Sequence, residues 1–302
     1  MSYIELILKV NNQAVDVASD FLISELGFSG VITEDVFINR ENAKGIIKAY
    51  AQSNEIFFSM EEINQKLSEK RTLLKNLGLT DEDLGEWSCS VSYEADESWS
   101  EKWKDYWDVQ KIGERIVICP SWIEYTATGN ELKIELDPGS AFGTGTHPTT
   151  RLCIKELERY VTSDSTVADI GCGSGILAIA SKKLGAKEVF GVDNDPDSVR
   201  VSKENAVINS VECDFEEGTV CLVQKSYNIV VANILAHVIV DIMPDLKRIT
   251  KPGGIIILSG IIEEKTQDVL DAMQENCIKL VSTNIEEGNG ENWICLTGQN
   301  NT

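Results

Sequence analysis

The fourteen residues 167–180, VADIGCGSGILAIA, decide the class of fold to which this chain belongs. An apolar strand ends at Ile170, glycines follow at positions 171, 173 and 175, and an apolar helix begins at once. Glycine has no Cβ, so the backbone can turn sharply here and approach a ligand closely. The GxGxG spacing differs from GxGxxG, and the Lys-Ser/Thr ending of a phosphate-binding P-loop is absent. The stretch predicts a strand, a tight ligand-binding turn and a helix.

The chain from residue 151 onward repeats this alternation of strand and helix. Its strands are nearly continuous apolar runs, which is typical of a parallel sheet covered by helices on both faces. We therefore predict an α/β fold, a Rossmann-like doubly wound sheet, for residues 114–302. In such sheets ligands bind at the carboxyl ends of the strands, beside the point where the strand order reverses.

The N-terminal part of the chain carries a different pattern. Residues 3–10, YIELILKV, alternate apolar and polar side chains, and residues 12–27 place apolar side chains at helical spacing. Two further strands, a helix around residues 60–76 and a strand around residues 86–94 follow. The order βαββαβ predicts a small ferredoxin-like α+β domain over residues 1–94, with both helices on one face of an antiparallel sheet.

Residues 95–113 are predicted to form a linker helix before the second domain, residues 114–302. Trp99, Trp103 and Trp107 recur at every fourth position and so share one face of this helix. They could form a packing seam between domains or an aromatic cage around a ligand. The packing seam is favoured, because apolar stripes at helical spacing usually belong to a core.

Two acidic residues follow the next predicted strand. Asp193 ends the strand in FGVDNDP, 22 residues after Gly171, where a carboxylate commonly accepts hydrogen bonds from ribose hydroxyls. Asp195 stands directly before Pro196, an arrangement typical of a residue that caps a helix. Asp193 is therefore the candidate ligand-binding residue, and Asp195 the candidate cap.

Asn233 ends the strand in NIVVANILA, which is predicted to lie across the switch point from the glycine loop. An amide at this position offers both an acceptor and a donor to the crevice. Two interpretations remain open: Asn233 contacts a ligand, or it caps the helix that follows.

The composition narrows the possible partners. The chain has 49 acidic and 27 basic residues, a net charge of −22, which disfavours non-specific binding to nucleic acid or anionic lipid. The charge would attract a basic partner, or it serves solubility alone. Eight cysteines occur singly and only two histidines are present, so no metal site and no disulfide framework is predicted. Without a long apolar run or a secretory signal, we expect a cytoplasmic protein with no membrane span.

The motifs DIGCGSGILAIA, GVDNDP and VVANIL, in this order and spacing, resemble those of class I S-adenosylmethionine-dependent methyltransferases. Together with LDPGSAFGTGTHPTT at residues 136–150 and the tryptophan-rich stretch before it, the chain resembles one family over its whole length. That family is the methyltransferases of large-subunit ribosomal protein L11.

The resemblance implies which residues contact S-adenosylmethionine. The family's cofactor contacts fall on Thr150, Gly171, Asp193 and Asn233, and all four residue types match. Gly173, in the same glycine loop, is expected to bind the cofactor with them. Asn233 would also align the amine that receives the methyl group. The Asn-Pro-Pro-aromatic sequence of many amine methyltransferases is replaced here by NILA.

The resemblance also implies the reaction and the partner. The family methylates lysine side chains and the α-amino group of ribosomal protein L11, which its ferredoxin-like domain recognises.

No general base stands out: His147 is expected to be a hydrogen-bonding element and His237 a structural residue. Residues 137–150, DPGSAFGTGTHPTT, are predicted to be a lid over the crevice. The oligomeric state is left open.

Two other classes of function share part of this pattern. A nicotinamide-dependent oxidoreductase would use the same strand, glycine loop and acidic residue, but it needs GxGxxG/A, and position 176 is isoleucine. A ribosome-associated binding module without catalysis would have no use for Gly171, Asp193 and Asn233 together, all of which are present.

Overall fold

The computed structural model describes residues 3–28, 30–36, 44–52, 58–94, 108–137, 147–288 and 291–301. Among these residues the chain forms two compact units, the first ending at Asp108 and the second beginning at Val109. The tryptophan stripe and residues 138–146 of the predicted lid lie outside the described residues. So does most of the predicted linker helix, and its described end, Gln110–Ile112, is a strand.

The first unit is the predicted ferredoxin-like domain. Its elements in chain order are β1 (Tyr3–Asn11), α1 (Val15–Ser24), β2 (Gly30–Val36), β3 (Lys44–Gln52), α2 (Met60–Asn76), α3 (Asp81–Leu84) and β4 (Ser88–Glu94). The sheet is antiparallel with the order β2-β3-β1-β4. The alternating residues of β1, Leu6 and Leu8 among them, pack in a core with Phe21 of α1 and Leu67 of α2.

A capping box determines where α2 begins. The Ser59 Oγ atom accepts a hydrogen bond from the Glu62 backbone N–H, and a Glu62 carboxylate oxygen accepts one from the Ser59 backbone N–H. These two bonds satisfy donors that the first turn of a helix otherwise leaves unpaired. The helix covers Met60–Asn76, the range that apolar periodicity indicates.

The second unit is an α/β domain. Its elements in chain order are β5 (Gln110–Ile112), β6 (Ile116–Cys119), β7 (Leu132–Glu135), α4 (Pro148–Tyr160), β8 (Thr166–Ile170), α5 (Ile176–Lys183), β9 (Glu188–Asp193), α6 (Pro196–Ile208), β10 (Asp214–Glu217), β11 (Tyr227–Asn233), α7 (Ala236–Arg248), β12 (Thr250–Ile262), α8 (Thr266–Glu275), β13 (Ile278–Gly288) and β14 (Glu291–Asn300). None of the described helices is long and apolar enough to cross a lipid bilayer.

Seven strands of this unit form one sheet with the order β10-β9-β8-β11-β12-β14-β13. The first five strands in this order, β10, β9, β8, β11 and β12, run parallel to one another. The strand β14 runs antiparallel to both its neighbours, β12 and β13. Residues of α4, α5 and α6 join the apolar core on one face, and residues of α7 and α8 join the core on the other. The doubly wound prediction is therefore confirmed. A separate sheet, β5-β6-β7, contributes side chains to the first of these cores.

A buried carboxylate joins α4 to the antiparallel end of this sheet. Glu156 is 1% exposed and accepts hydrogen bonds from three side chains on β13 and β14: Ser282 at 3.2 Å, Asn284 at 3.1 Å and Thr297 at 2.6 Å. Arg159, one turn along α4 and more than half exposed, completes the cluster with an ion pair of 2.5 Å. A buried charge is stable only when such partners surround it.

We predict that Glu156→Ala lowers the free energy of unfolding by about 3 kcal/mol, because the buried Thr297 hydroxyl and the half-buried side chains of Ser282 and Asn284 lose their acceptor. Arg159→Ala is the matched control and should lower it by less than about 1 kcal/mol, since the arginine is exposed and water replaces its contact. Urea unfolding of both variants measures the difference. Equal losses would contradict the structural role of Glu156.

Candidate functional site

Three of the predicted site residues lie at the carboxyl ends of adjacent parallel strands. β8 and β11 are neighbours, with β9 beyond β8 and β12 beyond β11, so the strand order reverses between β8 and β11. Gly171 follows β8, while Asp193 and Asn233 are the last residues of β9 and β11. This is the place where doubly wound sheets bind their ligands.

The glycine loop turns tightly against the end of β9. The backbone N–H groups of Gly171 and Cys172 both donate to the Val192 carbonyl, at 2.8 and 3.1 Å. Gly171 has a φ of +72°, and a Cβ there would lie 2.5 Å from the Ile234 Cγ2 atom. Only glycine suits this position, because a side chain would be strained in this conformation and would collide with the segment after β11.

Asp193 is oriented by the backbone on both sides of it. One carboxylate oxygen accepts a hydrogen bond from the Gly173 N–H at 2.8 Å, and the other accepts one from the Asp195 N–H at 3.0 Å. A carboxylate has about four acceptor sites, so lone pairs remain for hydroxyl donors of a ligand. Asp195 itself caps α6 by accepting from the Asp197 and Ser198 N–H groups, which confirms the role expected of it.

Asn233 pairs with Thr150, although 83 residues separate them in the sequence. The Asn233 side-chain N–H donates to the Thr150 hydroxyl at 3.3 Å, and Thr150 is fully buried in the first turn of α4. The Asn233 Oδ1 atom is buried and has no hydrogen-bond partner among the residues that the structure describes. The alternative role as a helix cap is excluded, since α7 begins after Leu235 with no side-chain cap.

The two histidines have different positions. His147 is the N-cap of α4: its Nδ1 atom accepts from the Thr149 N–H at 3.3 Å. Its ring also contacts Trp293 edge-on, with a centroid distance of 4.6 Å. The expectation of a hydrogen-bonding His147 is thus met. His237 is exposed on the first turn of α7, so the expected structural role is wrong: Ala236 and Ile239 of this helix are buried, and His237 is not.

Asp169, which no sequence motif indicated as a site residue, lies in β8, two residues before Gly171. It is 1% exposed, its Oδ2 atom accepts from the Ala178 N–H of α5 at 3.0 Å, and its Oδ1 atom has no hydrogen-bond partner. Burial raises the pKa of this carboxyl to about 7, with a smaller upward contribution from the charge of Asp193. The signal in the sequence was a single acidic residue inside an apolar strand.

These residues form two groups that meet at the crevice. Gly173 and Asp193 are hydrogen-bonded to each other and form one group with Gly171, whose N–H donates to the residue before Asp193. Thr150 and Asn233 form the other group. The groups adjoin where Gly171 lies against Ile234, the residue after Asn233. The unpartnered oxygens of Asp169 and Asn233, and a loop too tight for a Cβ, fit a ligand that carries hydrogen-bond donors and approaches the backbone closely.

Asp169 should make the stability of the protein depend on pH. Its carboxyl has a pKa of about 7 in the folded chain and about 4 in an unfolded one, so the folded chain binds an extra proton between these values. The contribution of Asp169 to the free energy of unfolding therefore falls as the pH rises from about 4 to about 7. Asp169→Asn cannot titrate, and its stability relative to the native protein should rise over this window and then level off. Urea unfolding across this pH range measures the difference, and parallel pH curves would contradict it.

Comparisons with known proteins agree with this geometry. The family described as ribosomal protein L11 methyltransferase (PrmA) matches residues 2–301. A ribosomal protein L11 methyltransferase of Listeria welshimeri is 40% identical over 312 residues, covering 98% of each chain. One of Clostridium perfringens is 39% identical over 289 residues, covering 95% of this chain and 89% of that one.

A solved structure extends the likeness to the fold. The crystal structure of ribosomal protein L11 methylase from Lactobacillus delbrueckii subsp. bulgaricus is 33% identical, with a TM-score of 0.58 over 64% of this chain and 97% of that one. Neither an oxidoreductase nor a binding module without catalysis is supported by these matches. The chain belongs to the family of ribosomal protein L11 methyltransferases.

Proposed function

We propose that this protein transfers methyl groups from S-adenosylmethionine to amine nitrogens of ribosomal protein L11, namely lysine side chains and the N-terminal α-amino group. The observation that carries the proposal is a glycine loop hydrogen-bonded to Asp193 at the switch point of a chain that matches this family from residue 2 to residue 301. A ribosomal substrate also implies that the reaction takes place in the cytoplasm.

The cofactor would be held by both groups of residues at the crevice. Gly171 and Gly173 let the backbone approach it, and Asp193 would accept hydrogen bonds from its ribose hydroxyls. Thr150 and Asn233 would contact it from the other side. When bound, S-adenosylmethionine supplies a methyl group that is already activated on a sulfonium sulfur.

The protein's own task is then to present a neutral amine in line with that methyl group. A free lysine side chain has a pKa of about 10.4, and burial lowers it because the charged form loses its hydration. The buried, unpartnered Asn233 Oδ1 atom would accept a hydrogen bond from the amine and so direct its lone pair. Thr150 would hold the Asn233 side chain in this orientation.

The partner would be recognised through charge and through the first domain. The net charge of −22 favours the approach of a basic ribosomal protein. We assign recognition to the ferredoxin-like domain, residues 1–94, joined by residues 95–113 to the methyltransferase domain, residues 114–302. Each domain has an apolar core of its own, which suits such a division of roles.

Incubation with labelled S-adenosylmethionine and a total ribosomal-protein extract tests the proposal. We expect the label to enter L11, and the KM for L11 to rise with salt concentration because charge attraction is screened. Chemical cross-links to L11 should fall within residues 1–94. Label in another protein only, or in none, would refute the function; cross-links confined to residues 114–302 would refute the domain assignment.

The orientation of Asn233 can be tested through Thr150. Thr150→Val is similar in size but lacks the hydroxyl that Asn233 donates to, so kcat should fall roughly tenfold to a hundredfold as the amide loses its position. Thr150→Ser keeps the hydroxyl and should retain most of the rate. Steady-state kinetics with L11 distinguish the two variants. A kcat for Thr150→Val equal to that of Thr150→Ser would show that the hydrogen bond between Asn233 and Thr150 does not affect the rate of the reaction.

A further inference from the structure

Among the described residues, Asp169 is the one buried acidic side chain beside the crevice to which the proposed reaction assigns no role. From the described residues its carboxyl receives a single hydrogen bond, from the Ala178 N–H in the first turn of α5, and its Oδ1 atom is left unpartnered. This bond lowers the pKa of the carboxyl, but burial raises it by more. By contrast, the buried Glu156 is surrounded by three hydroxyl or amide donors and an arginine. The surroundings of Asp169 therefore stabilise a charged carboxylate poorly.

In the part of the chain that the structure describes, the other titratable groups that interact with Asp169 do not supply a positive charge. Asp193, at the end of the neighbouring strand, is an acid that opposes a second negative charge. Three thiols interact with Asp169 from other elements: Cys153 of α4, Cys172 of the glycine loop and Cys213 before β10. Burial raises the pKa of each thiol, with Asp169 adding to the rise, so they are neutral near pH 7.

We propose that Asp169 holds a proton in the free protein and releases it to solvent when the cationic cofactor occupies the crevice. This inference rests on the proposed use of S-adenosylmethionine, which carries a sulfonium and an ammonium group. In the step, the O–H bond of the Asp169 carboxyl breaks, the proton passes to buffer, and a carboxylate remains, which the positive charge of the bound cofactor would stabilise. No electrons are exchanged and no further reactant is needed.

The physical basis is the difference between the two states of the site. In the free protein burial favours the neutral acid and raises its pKa to about 7. A positive charge nearby favours the carboxylate and lowers the pKa again. Cofactor binding and proton release are then linked, and the affinity for S-adenosylmethionine must weaken as the pH falls below 7.

Calorimetry of S-adenosylmethionine binding to the full chain measures this linkage. At pH 6, in buffers of different ionisation enthalpy, the native protein should release roughly 0.9 proton per cofactor. The ligand's α-amino group, with a pKa of about 8, is already protonated at this pH and adds little. Asp169→Asn keeps an oxygen for the Ala178 N–H, so we expect it to fold and to bind the cofactor without this release.

Asp195→Asn is the matched control, because it makes the same change in a nearby helix cap that asparagine also satisfies. When S-adenosylmethionine binds, Asp195→Asn should release as many protons as the native protein. From pH 7.5 to pH 5.5 the Kd of the native protein should rise roughly twentyfold, and that of Asp169→Asn should stay nearly constant.

The possible results distinguish a failure of this inference from a failure of the proposed function. Binding by the native protein without proton release at pH 6 would overturn the inference alone, and this result does not depend on any variant. Equal proton release by the native protein and Asp169→Asn would overturn it too. If S-adenosylmethionine does not bind the native protein at any pH, the proposed function itself is wrong.

Discussion

The hydrogen bonds between the end of β9 and the glycine loop are the interaction on which the crevice depends. The Asp193 carboxylate holds Gly173 on one side and Asp195 on the other, while the Val192 carbonyl accepts from Gly171 and the residue after it. The loop is thereby fixed before any ligand binds. A ligand that meets a preformed loop loses less conformational entropy on binding, which favours tight association.

Helix α4 contributes a residue to this crevice and also stabilises the packing of the second unit. Its first turn carries Thr150 against Asn233, and two turns later Glu156 binds the antiparallel strands β13 and β14. Arg151 and Lys155 on the same helix form ion pairs with Glu286 of β13. The contacts that keep α4 on the sheet therefore also fix the position of Thr150, so the Thr150–Asn233 hydrogen bond and the packing of the sheet depend on the same helix.

Apolar patterns in the sequence were enough to predict the two larger sheets, because their strands are alternating or continuous apolar runs. They did not predict β5, Gln110–Ile112, which lies in the segment expected to be a linker helix. They also missed β10, Asp214–Glu217, since this edge strand buries only Phe215 and has no apolar alternation. The glycine loop and Asp193 were also predictable, because they follow their strands directly. The bond between Thr150 and Asn233 and the burial of Asp169 depend on how distant segments pack, which no local pattern encodes.

Amide hydrogen exchange of residues 169–180 in the cofactor-free protein tests most directly whether Asp193 holds the glycine loop. Asp193→Ala should speed exchange in this segment roughly tenfold or more, because the Gly173 N–H loses its acceptor and the loop opens locally. Asp195→Ala keeps the backbone N–H that binds Asp193 and should leave the loop protected. Unchanged exchange in Asp193→Ala would contradict the claim that the crevice is preformed by this carboxylate.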